Sequence, residues 1–265
     1  MIHLIATDLD GTLLNNEHKI SDYNKKIISA VNEKGIKFIL STGRPTSAAT
    51  KFLEDLNIET DMISFNGAMI TDRKGNILYE DNLESHIGKE LIEIAKKYKV
   101  YYQGFLGERW NLSDSKSKWL DFYISIAKIN NYKLGFDNIK DFSFSKFMFI
   151  GENHILKEIA KEIDKKLKDK VYYTFSRPVY LEVHSPKVSK ANALSFLLKK
   201  YNIERENIMA FGDNNNDIEM LELAKISVAV ENAESIVKEK AKYITKSNIE
   251  NGVGYFINEY FNLGL

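Results

Sequence analysis

The sequence predicts an α/β protein: a doubly wound, Rossmann-like parallel sheet with an inserted α+β domain. Two observations lead to this prediction. Short apolar runs alternate with helical patterns near both ends of the 265-residue chain, which is typical of buried parallel strands joined by crossover helices. Between them lies a segment of domain size that holds both tryptophans and orders its helices and strands differently.

The N-terminal part alternates strands and helices up to a hairpin. Ser21 precedes apolar residues at helical spacing, so we expect it to cap a helix. Gly35 ends that helix, and Pro45 suits the first turn of the next one. The predicted elements are a strand at 2–7, a helix at 21–34, a strand at 36–41, a helix from 45 to about 56, a strand at 62–65 and a hairpin around 72–76.

The C-terminal part again alternates strands and helices, whereas the middle segment orders its helices and strands differently. The C-terminal elements are a helix at 188–201, a strand at 208–212, a polar loop at 213–217, a helix at 218–224, a strand at 226–230 and a helix at 233–242. The middle predicts a helix at 85–99, a strand at 100–106, a helix at 116–127, a strand at 146–151, a helix at 153–168 and strands at 171–175 and 179–184. We therefore assign 1–82 and 187–265 to a core domain and 83–186 to an inserted domain.

Composition excludes several classes of function. Lys plus Arg and Asp plus Glu both number 37, so the chain has no net charge to attract nucleic acid or an anionic membrane. It contains no Cys, which rules out disulfides, thiolate zinc sites and a Cys nucleophile. No apolar run approaches the ~18 residues of a membrane helix, and the start lacks the features of a signal peptide. We expect a cytoplasmic protein without nucleic-acid or membrane partners; the sequence carries no signal of its oligomeric state.

Chemistry-bearing residues follow several predicted strands. Asp8 and Asp10 leave the first strand on the same side, and Gly11 allows a tight turn that brings backbone N–H groups toward a ligand. On its own, such a segment is equally consistent with a ligand-binding loop and with an ordinary surface turn. The segments Ser41-Thr42-Gly43-Arg44 and Gly212–Asp217 end two further strands, and Lys190 begins a helix. Because ligands of open α/β sheets bind outside the carboxyl ends of the strands, we expect these segments to form one site.

Clustered carboxylates at this edge predict a metal ion. Two of them about 4 Å apart repel by roughly 4 kcal/mol at an effective dielectric of 20. Asp8, Asp10 and Asp213 would therefore raise one another's pKa unless a cation intervened. Mg²⁺ fits, because it accepts carboxylates, a backbone carbonyl, waters and a substrate phosphate. The scattered five His and the absence of Cys argue against zinc.

The four segments together resemble the motifs of the haloacid dehalogenase-like hydrolase superfamily, and the large insert before Lys190 resembles its Cof-like branch of Mg²⁺-dependent sugar-phosphate and small-phosphate phosphatases. DLDGTLL is similar to the first motif, Ser41 to the second, Lys190 to the third and GDNNND to the fourth. One departure is Ala191, where relatives usually carry Gly; we expect little consequence, since Ala favours helices.

This resemblance implies a mechanism and residue roles. Asp8 would be the nucleophile that forms an aspartyl-phosphate, and Asp10 the general acid and base. Mg²⁺ would be held by Asp8, the Asp10 carbonyl and Asp213, and Asp217 would orient Lys190 or a metal-bound water. The phosphoryl group would be bound by Leu9, Ser41, Thr42, Gly43, Lys190 and Asn216.

Three other functions stay open at this point. A phosphosugar mutase of the same superfamily would transfer the phosphoryl group rather than release it. A receiver-like signalling module also uses acids, a hydroxyl and a lysine on a doubly wound sheet, although it would not carry so large an insert. A non-catalytic phosphosugar-binding protein would bind without turnover. Among substrates, sugar phosphates and phosphorylated cofactors remain open, because the inserted domain sets that choice.

Several residues are candidates for substrate contact, each with a structural alternative. Asn66-Gly67 is either a turn that lines the site or a strand end, and Arg44 is either a surface ion pair or a site residue. In the insert, His184 lies just before Lys190, and Arg177, Arg109 and Tyr180 are further candidates. For Trp110 and Trp119, core packing is favoured over stacking on a substrate.

Overall fold

The computed structural model describes residues 1–127, 129 and 131–265. They form two compact units. The first comprises Met1–Tyr79 and Ser189–Leu265, and the second Glu80–Val188. The boundaries predicted from sequence lie a few residues inside the second unit. In chain order the first unit begins with β1 (Leu4–Thr7), α1 (Asp22–Glu33), β2 (Lys37–Ser41), α2 (Thr46–Leu56), β3 (Met62–Ser64), β4 (Met69–Thr71) and β5 (Ile77–Glu80).

The second unit follows and returns the chain to the first. Its elements are α3 (Ser85–Tyr98), β6 (Tyr101–Leu106), β7 (Arg109–Leu112), α4 (Lys118–Ala127), β8 (Tyr132–Leu134), β9 (Lys146–Ile150), α5 (Asn153–Leu167), β10 (Tyr172–Arg177) and β11 (Tyr180–His184). The first unit is completed by α6 (Lys190–Tyr201), β12 (Ile208–Gly212), α7 (Ile218–Leu223), β13 (Ile226–Val230), α8 (Ser235–Lys240), β14 (Tyr243–Thr245) and α9 (Gly252–Phe261).

In the first unit, the described strands form one sheet in the order β14-β13-β12-β1-β2-β3-β4-β5. The pairs from β14 to β3 are parallel, and β4 runs antiparallel to β3. Alternate residues of β1 face opposite sides: Ile5 packs with α1, α2 and α9, whereas Leu4 and Ala6 pack with α6, α7 and α8. This doubly wound, helix–sheet–helix arrangement confirms the predicted fold class.

The helix that follows β1 begins where the sequence places it. The Ser21 hydroxyl accepts a hydrogen bond from the backbone N–H of Asn24 at 3.1 Å. Such an N-cap contributes about 1 kcal/mol because it satisfies an N–H without a partner inside the helix. Ile27, Ile28 and Val31 then bury one face of α1 against the sheet.

The second unit has its own core. Its described strands are ordered β10-β11-β9-β6-β7-β8, and each pair is antiparallel except β7 with β8. One face of this sheet, which includes Phe147 and Phe149, packs on α3 and α5. On β7, Trp110 is buried and its ring centroid lies 5.4 Å from that of Tyr123 on α4. No helix among the described residues is long and apolar enough to span a membrane.

Four elements, β7, β8, β14 and α9, were absent from the sequence prediction. Of these, α9 contains Gly252 and Gly254, which weaken the helical signal. Packing requires both glycines: a Cβ on Gly252 would lie 1.9 Å from the Lys246 carbonyl oxygen, and one on Gly254 would lie 2.4 Å from Asn24 Oδ1. The strands β8 and β14 have only three residues each, which is too short for alternation to be read.

Candidate active site

Strand register brings three loops to one edge of the sheet of the first unit. Thr7 of β1 is paired with Phe211 of β12 on one side and with Leu40 of β2 on the other. The residues that follow, Asp8, Gly212-Asp213 and Ser41-Thr42, therefore leave the sheet side by side. Lys190 joins them from the first turn of α6, whose N-cap is Ser189.

The loop after β1 makes one wide, π-type helical turn from Leu9 to Leu13, interrupted at Asp10 and Gly11. Gly11 has φ +87°, and a Cβ there would lie 2.5 Å from Asp213 Oδ2. Both conformation and space thus require glycine. The Thr12 hydroxyl donates to Asp213 Oδ1 and links this loop to the one after β12. Thr12 was not among the sequence-predicted site residues, although it directly follows the Asp-Gly turn.

A buried ion-pair network surrounds Asp8. Lys190 Nζ lies 2.5 Å from Asp8 Oδ1 and 2.6 Å from Asp217 Oδ1. The Lys190 side chain is fully buried, as is that of Asp217. Burial by itself lowers the pKa of Lys190, but Asp217 and Asp8 outweigh it and raise that pKa above the usual value. The ammonium therefore stays charged and is shared between two carboxylates.

Asp217 uses both of its oxygens inside the protein. Oδ1 accepts from Lys190, and Oδ2 accepts from the backbone N–H groups of Asp213 and Asn214 at 3.0 Å each. Asn214 and Asp217 form a reciprocal capping box at this turn. Asp217 thus fixes the loop that carries Asp213.

Asp8, Asp213 and Asp217 form an acidic cluster. They can each offer one oxygen within 4.8 Å of the others. Burial raises the pKa of Asp8 well above its usual range, and the neighbouring acids add to this while Lys190 opposes it. Burial, with repulsion from Asp217, raises the pKa of Asp213 to about 7. When all three carboxylates are ionised, the one ammonium leaves two negative charges, which a divalent cation with oxygen ligands would balance.

The loop after β2 supplies hydroxyl and amide groups. Ser41 is fully buried, and within the described part of the chain its hydroxyl has no hydrogen-bond partner. Thr42 is also buried; its hydroxyl accepts from the N–H of Arg44 at 3.1 Å, and its carbonyl accepts from the N–H of Asn66. A Cβ on Gly43 would lie 2.7 Å from Asn66 Oδ1, so glycine is needed for this close approach.

Arg44 and Asp10 form a two-point ion pair. Arg44 Nε lies 2.6 Å from Asp10 Oδ2, and Arg44 Nη2 lies 2.5 Å from Asp10 Oδ1. His18 Nδ1 is 3.7 Å from Asp10 Oδ1. Asp10 therefore lies two residues after Asp8 in the sequence but forms hydrogen bonds with different partners.

Asn66 and Gly67 follow β3 and connect to two other loops. Asn216 Nδ2 donates to Asn66 Oδ1 at 2.9 Å, which ties the loop after β3 to the loop after β12. Gly67 has φ +105°, and a Cβ there would lie 2.2 Å from the carbonyl oxygen of Ser189. The turn therefore packs directly against the start of α6, which carries Lys190.

The predicted site residues of the core domain all lie in this cluster of loops. They are Asp8, Leu9, Asp10, Ser41, Thr42, Gly43, Arg44, Asn66, Gly67, Lys190, Asp213, Asn216 and Asp217. The predicted insert residues lie in the second unit. There His184 is buried, with Nδ1 3.1 Å from the Ser145 carbonyl and Nε2 3.7 Å from Glu182 Oε2. Arg177 is exposed at the end of β10, whereas Tyr180 is buried at the start of β11.

Comparison with known proteins identifies relatives of this chain. A family described as haloacid dehalogenase-like hydrolase matches residues 5–257. The chain is 34% identical over 259 residues to 5-amino-6-(5-phospho-D-ribitylamino)uracil phosphatase YcsE of Bacillus subtilis, covering 98% of this chain and 96% of that protein. It is 31% identical to 5-amino-6-(5-phospho-D-ribitylamino)uracil phosphatase YwtE of the same organism, covering 96% of each chain.

A solved structure shows the same relationship. The fold is similar to that of a haloacid dehalogenase-like hydrolase from Bacteroides thetaiotaomicron, with a TM-score of 0.90 and 29% identity over 98% of this chain and all of that one.

Proposed function

Because the chain belongs to the haloacid dehalogenase-like hydrolase family and is a phosphatase within it, we propose that it hydrolyses small phosphomonoesters with Mg²⁺, through an aspartyl-phosphate on Asp8. The observation that carries this proposal is the buried contact of Asp8 with Lys190, beside Asp213 and Asp217 at the sheet edge.

In the first step, an Asp8 oxygen attacks phosphorus and forms an acyl phosphate. The bond between phosphorus and the leaving oxygen breaks, and Asp10 gives its proton to that oxygen. In the second step, Asp10 takes a proton from water, whose oxygen attacks phosphorus. The bond to Asp8 then breaks, which restores the carboxylate and releases inorganic phosphate.

Lys190 supports the first step. Its ammonium holds one oxygen of Asp8 at 2.5 Å, which orients the carboxylate for attack by the other. Its positive charge also favours approach of an anionic phosphoryl group. Asp217 keeps Lys190 in place and so acts through it rather than on the substrate.

The acidic cluster fits Mg²⁺. Both oxygens of Asp217 already accept hydrogen bonds, so the proposed protein ligands are the carboxylates of Asp8 and Asp213 and the carbonyl of Asp10. When bound, the ion neutralises charge on the phosphoryl oxygens. Burial raises the pKa of Asp8 and of Asp213, and repulsion from the neighbouring acids adds to it, which supports a cation at this site.

The phosphoryl group would meet hydrogen-bond donors on the other side. The Ser41 hydroxyl, which lacks a partner among the described residues, is the first of these. The others are the backbone of Leu9, the Thr42-Gly43 segment, Lys190 and the Asn216 amide. Donors fixed before the substrate arrives stabilise charge without further reorganisation.

For substrate class, we propose a small phosphorylated metabolite with a polar leaving group. Two relatives are named for a phosphorylated ribitylaminouracil, which combines a sugar alcohol and a heterocycle. That compound belongs in a first panel, together with sugar phosphates, pyridoxal phosphate and FMN. The inserted domain is the proposed source of selectivity among them, with the exposed Arg177 as a candidate contact; the side chain of His184, the other predicted contact, is fully buried in the structure.

The test is phosphate release from this panel with Mg²⁺ and with EDTA, for the wild type, Asp8→Asn and Asp22→Asn. Asp22 is an exposed acid at the start of α1 and serves as the matched control. We expect Mg²⁺-dependent release that Asp8→Asn abolishes and Asp22→Asn retains. A folded Asp8→Asn protein with normal turnover would overturn the mechanism. Absence of release by the wild type would overturn the substrate proposal, and phosphosugar isomerisation or binding without turnover would then be sought.

A further inference from the structure

The contact between Arg44 and Asp10 has the geometry of a fork. Two donors of one planar guanidinium, Nε and Nη2, each bind a different oxygen of the Asp10 carboxylate, at 2.6 and 2.5 Å. Such bidentate pairs fix the plane of the carboxylate as well as its distance. A single ammonium would fix only the distance.

Arg44 is the anchored partner of this pair. Its side chain is 11% exposed, whereas that of Asp10 is 43% exposed. Its backbone N–H donates to the Thr42 hydroxyl, and its carbonyl accepts from the N–H of Phe65. The guanidinium carbon lies 5.3 Å from the centre of the Phe52 ring. Backbone and side chain of Arg44 are therefore held by the loop after β2 and by α2.

Asp10 is the adjustable partner. It lies at the interruption of the helical turn after β1, with φ −80° and ψ 114°, directly before Gly11 at φ +87°. Its carboxylate is not enclosed by apolar packing, so the contacts it makes decide its orientation. Among the described residues His18 also faces it, 61% exposed and with Nδ1 3.7 Å away, and the acids Asp8 and Asp213 lie close enough to interact with its charge.

We infer that Arg44 is the positioning residue for Asp10, setting the direction in which Asp10 delivers its proton to the leaving oxygen. This inference rests on the function proposed above. In the step, the O–H bond of Asp10 breaks and its proton bonds to the leaving oxygen, which keeps the electron pair of its broken bond to phosphorus. A protonated carboxyl needs one oxygen for its proton, so one arm of the fork opens while the other keeps the orientation.

An alternative is that the pair only stabilises the loops. The two roles differ in their dependence on the leaving group. Proton donation matters for a poor leaving group such as an alkoxide and little for a good one such as p-nitrophenolate. A structural defect would slow both substrates alike.

The experiment measures first-turnover release of alcohol or phenol from glycerol 3-phosphate and from p-nitrophenyl phosphate. This burst reports formation of the aspartyl-phosphate and is independent of its later hydrolysis. For Arg44→Gln we expect a loss about 10- to 100-fold greater with the alkyl ester than with the aryl ester, which is part of the roughly 10²- to 10⁴-fold that general acid catalysis contributes. Arg44→Lys, which keeps the charge without the fork, should share this selective loss.

A double-mutant cycle completes the test. If Arg44 acts through Asp10, adding Arg44→Gln to Asp10→Asn should cause little further loss with the alkyl ester. Arg73→Gln, which breaks an exposed ion pair with Glu59, is the matched control, and thermal melting compares the folding of each variant.

Equal losses on both esters, full activity of Arg44→Lys or additive effects in the cycle would overturn the inference while the proposed function stands. A wild type that releases neither alcohol nor phenol, and no phosphate from the panel of the proposed function, would instead overturn the proposed function.

Discussion

Lys190 Nζ lies 2.5 Å from Asp8 Oδ1, although 182 positions separate the two residues in the chain. The same ammonium bonds Asp217 at 2.6 Å, and all three side chains are buried. One cation thus serves two anions in a region from which water is largely excluded. Stability and the proposed chemistry depend on the same contact.

Lys190→Met should destabilise the protein by about 3–5 kcal/mol, because it leaves buried carboxylates without their partner. Urea unfolding in EDTA measures the change. Lys199→Met, at an exposed position of the same helix, is the control and should change little. Equal stability of the two variants would contradict the structural importance of the shared ammonium.

Mg²⁺ affinity should rise with pH around neutrality. Burial and Asp217 raise the pKa of Asp213 to about 7, so below that pH the ion must displace a proton. We expect apparent affinity about tenfold lower at pH 6 than at pH 8, by calorimetry in two buffers that also report proton release. Equal affinities without proton release would contradict this prediction.

The same raised pKa has a consequence for stability without metal. The folded state holds a proton on Asp213 that the unfolded state, with its usual pKa of 3.8, has already lost. Without metal, the free energy of unfolding should therefore decrease as pH rises from about 4 to about 7. In Asp213→Asn this part of the pH dependence should be absent from thermal melts.

Gly67→Ala should cost more stability than Gly75→Ala. Both glycines have positive φ, so both substitutions introduce backbone strain of about 1 kcal/mol or more. Only at Gly67 would the Cβ also meet the Ser189 carbonyl, at 2.2 Å, whereas nothing lies within 4 Å at Gly75. Shifting Ser189 moves Lys190, so phosphatase activity should fall only in Gly67→Ala. Equal melting temperatures and activities would show that the close approach is unimportant.

Glu182 should make the second unit sensitive to acid. Burial alone would raise the pKa of Glu182, but Lys146, at 2.8 Å, and His184 outweigh it and lower the pKa to about 2. Because this lies below the unfolded value of 4.5, the stabilisation is complete above about pH 4.5 and disappears as pH falls toward 2. It amounts to roughly 3 kcal/mol.

Urea unfolding between pH 3 and 6, followed by Trp fluorescence, tests this prediction. Both tryptophans lie in the second unit, so the signal reports that unit. Glu182→Gln should flatten the pH dependence, while Glu158→Gln, at an exposed position of α5, should preserve it. An unchanged slope in Glu182→Gln would contradict the assigned role.

The sequence predicted the α/β class and most elements that surround the candidate site, because their signals are local. Strands 208–212 and 226–230 are continuous apolar runs, and the structure has the same bounds. Ser21 marks a recognisable helix start, and its hydroxyl caps α1 as predicted. The helix predicted from 188 begins at Lys190, capped by the Ser189 hydroxyl. Glycines packed against distant groups, as in α9, weaken the local signal instead.

Contacts between distant loops could not be read from the sequence. Nothing near Asn66 indicates that its amide oxygen meets Asn216, and nothing near Asp10 indicates the fork with Arg44. Both depend on side-chain directions set by the loops, including the positive φ of Asn66.

The position of β1 in its sheet also bears on how the chain is made. Leu4 pairs with Lys37 on one side and with Ile208 on the other. During translation the first partner emerges soon, but the second follows only after the whole second unit has been synthesised. One edge of this apolar strand thus stays open in the meantime, and open edges invite pairing with other chains. Nascent chains that still lack β12 therefore expose this edge of β1 to aggregation.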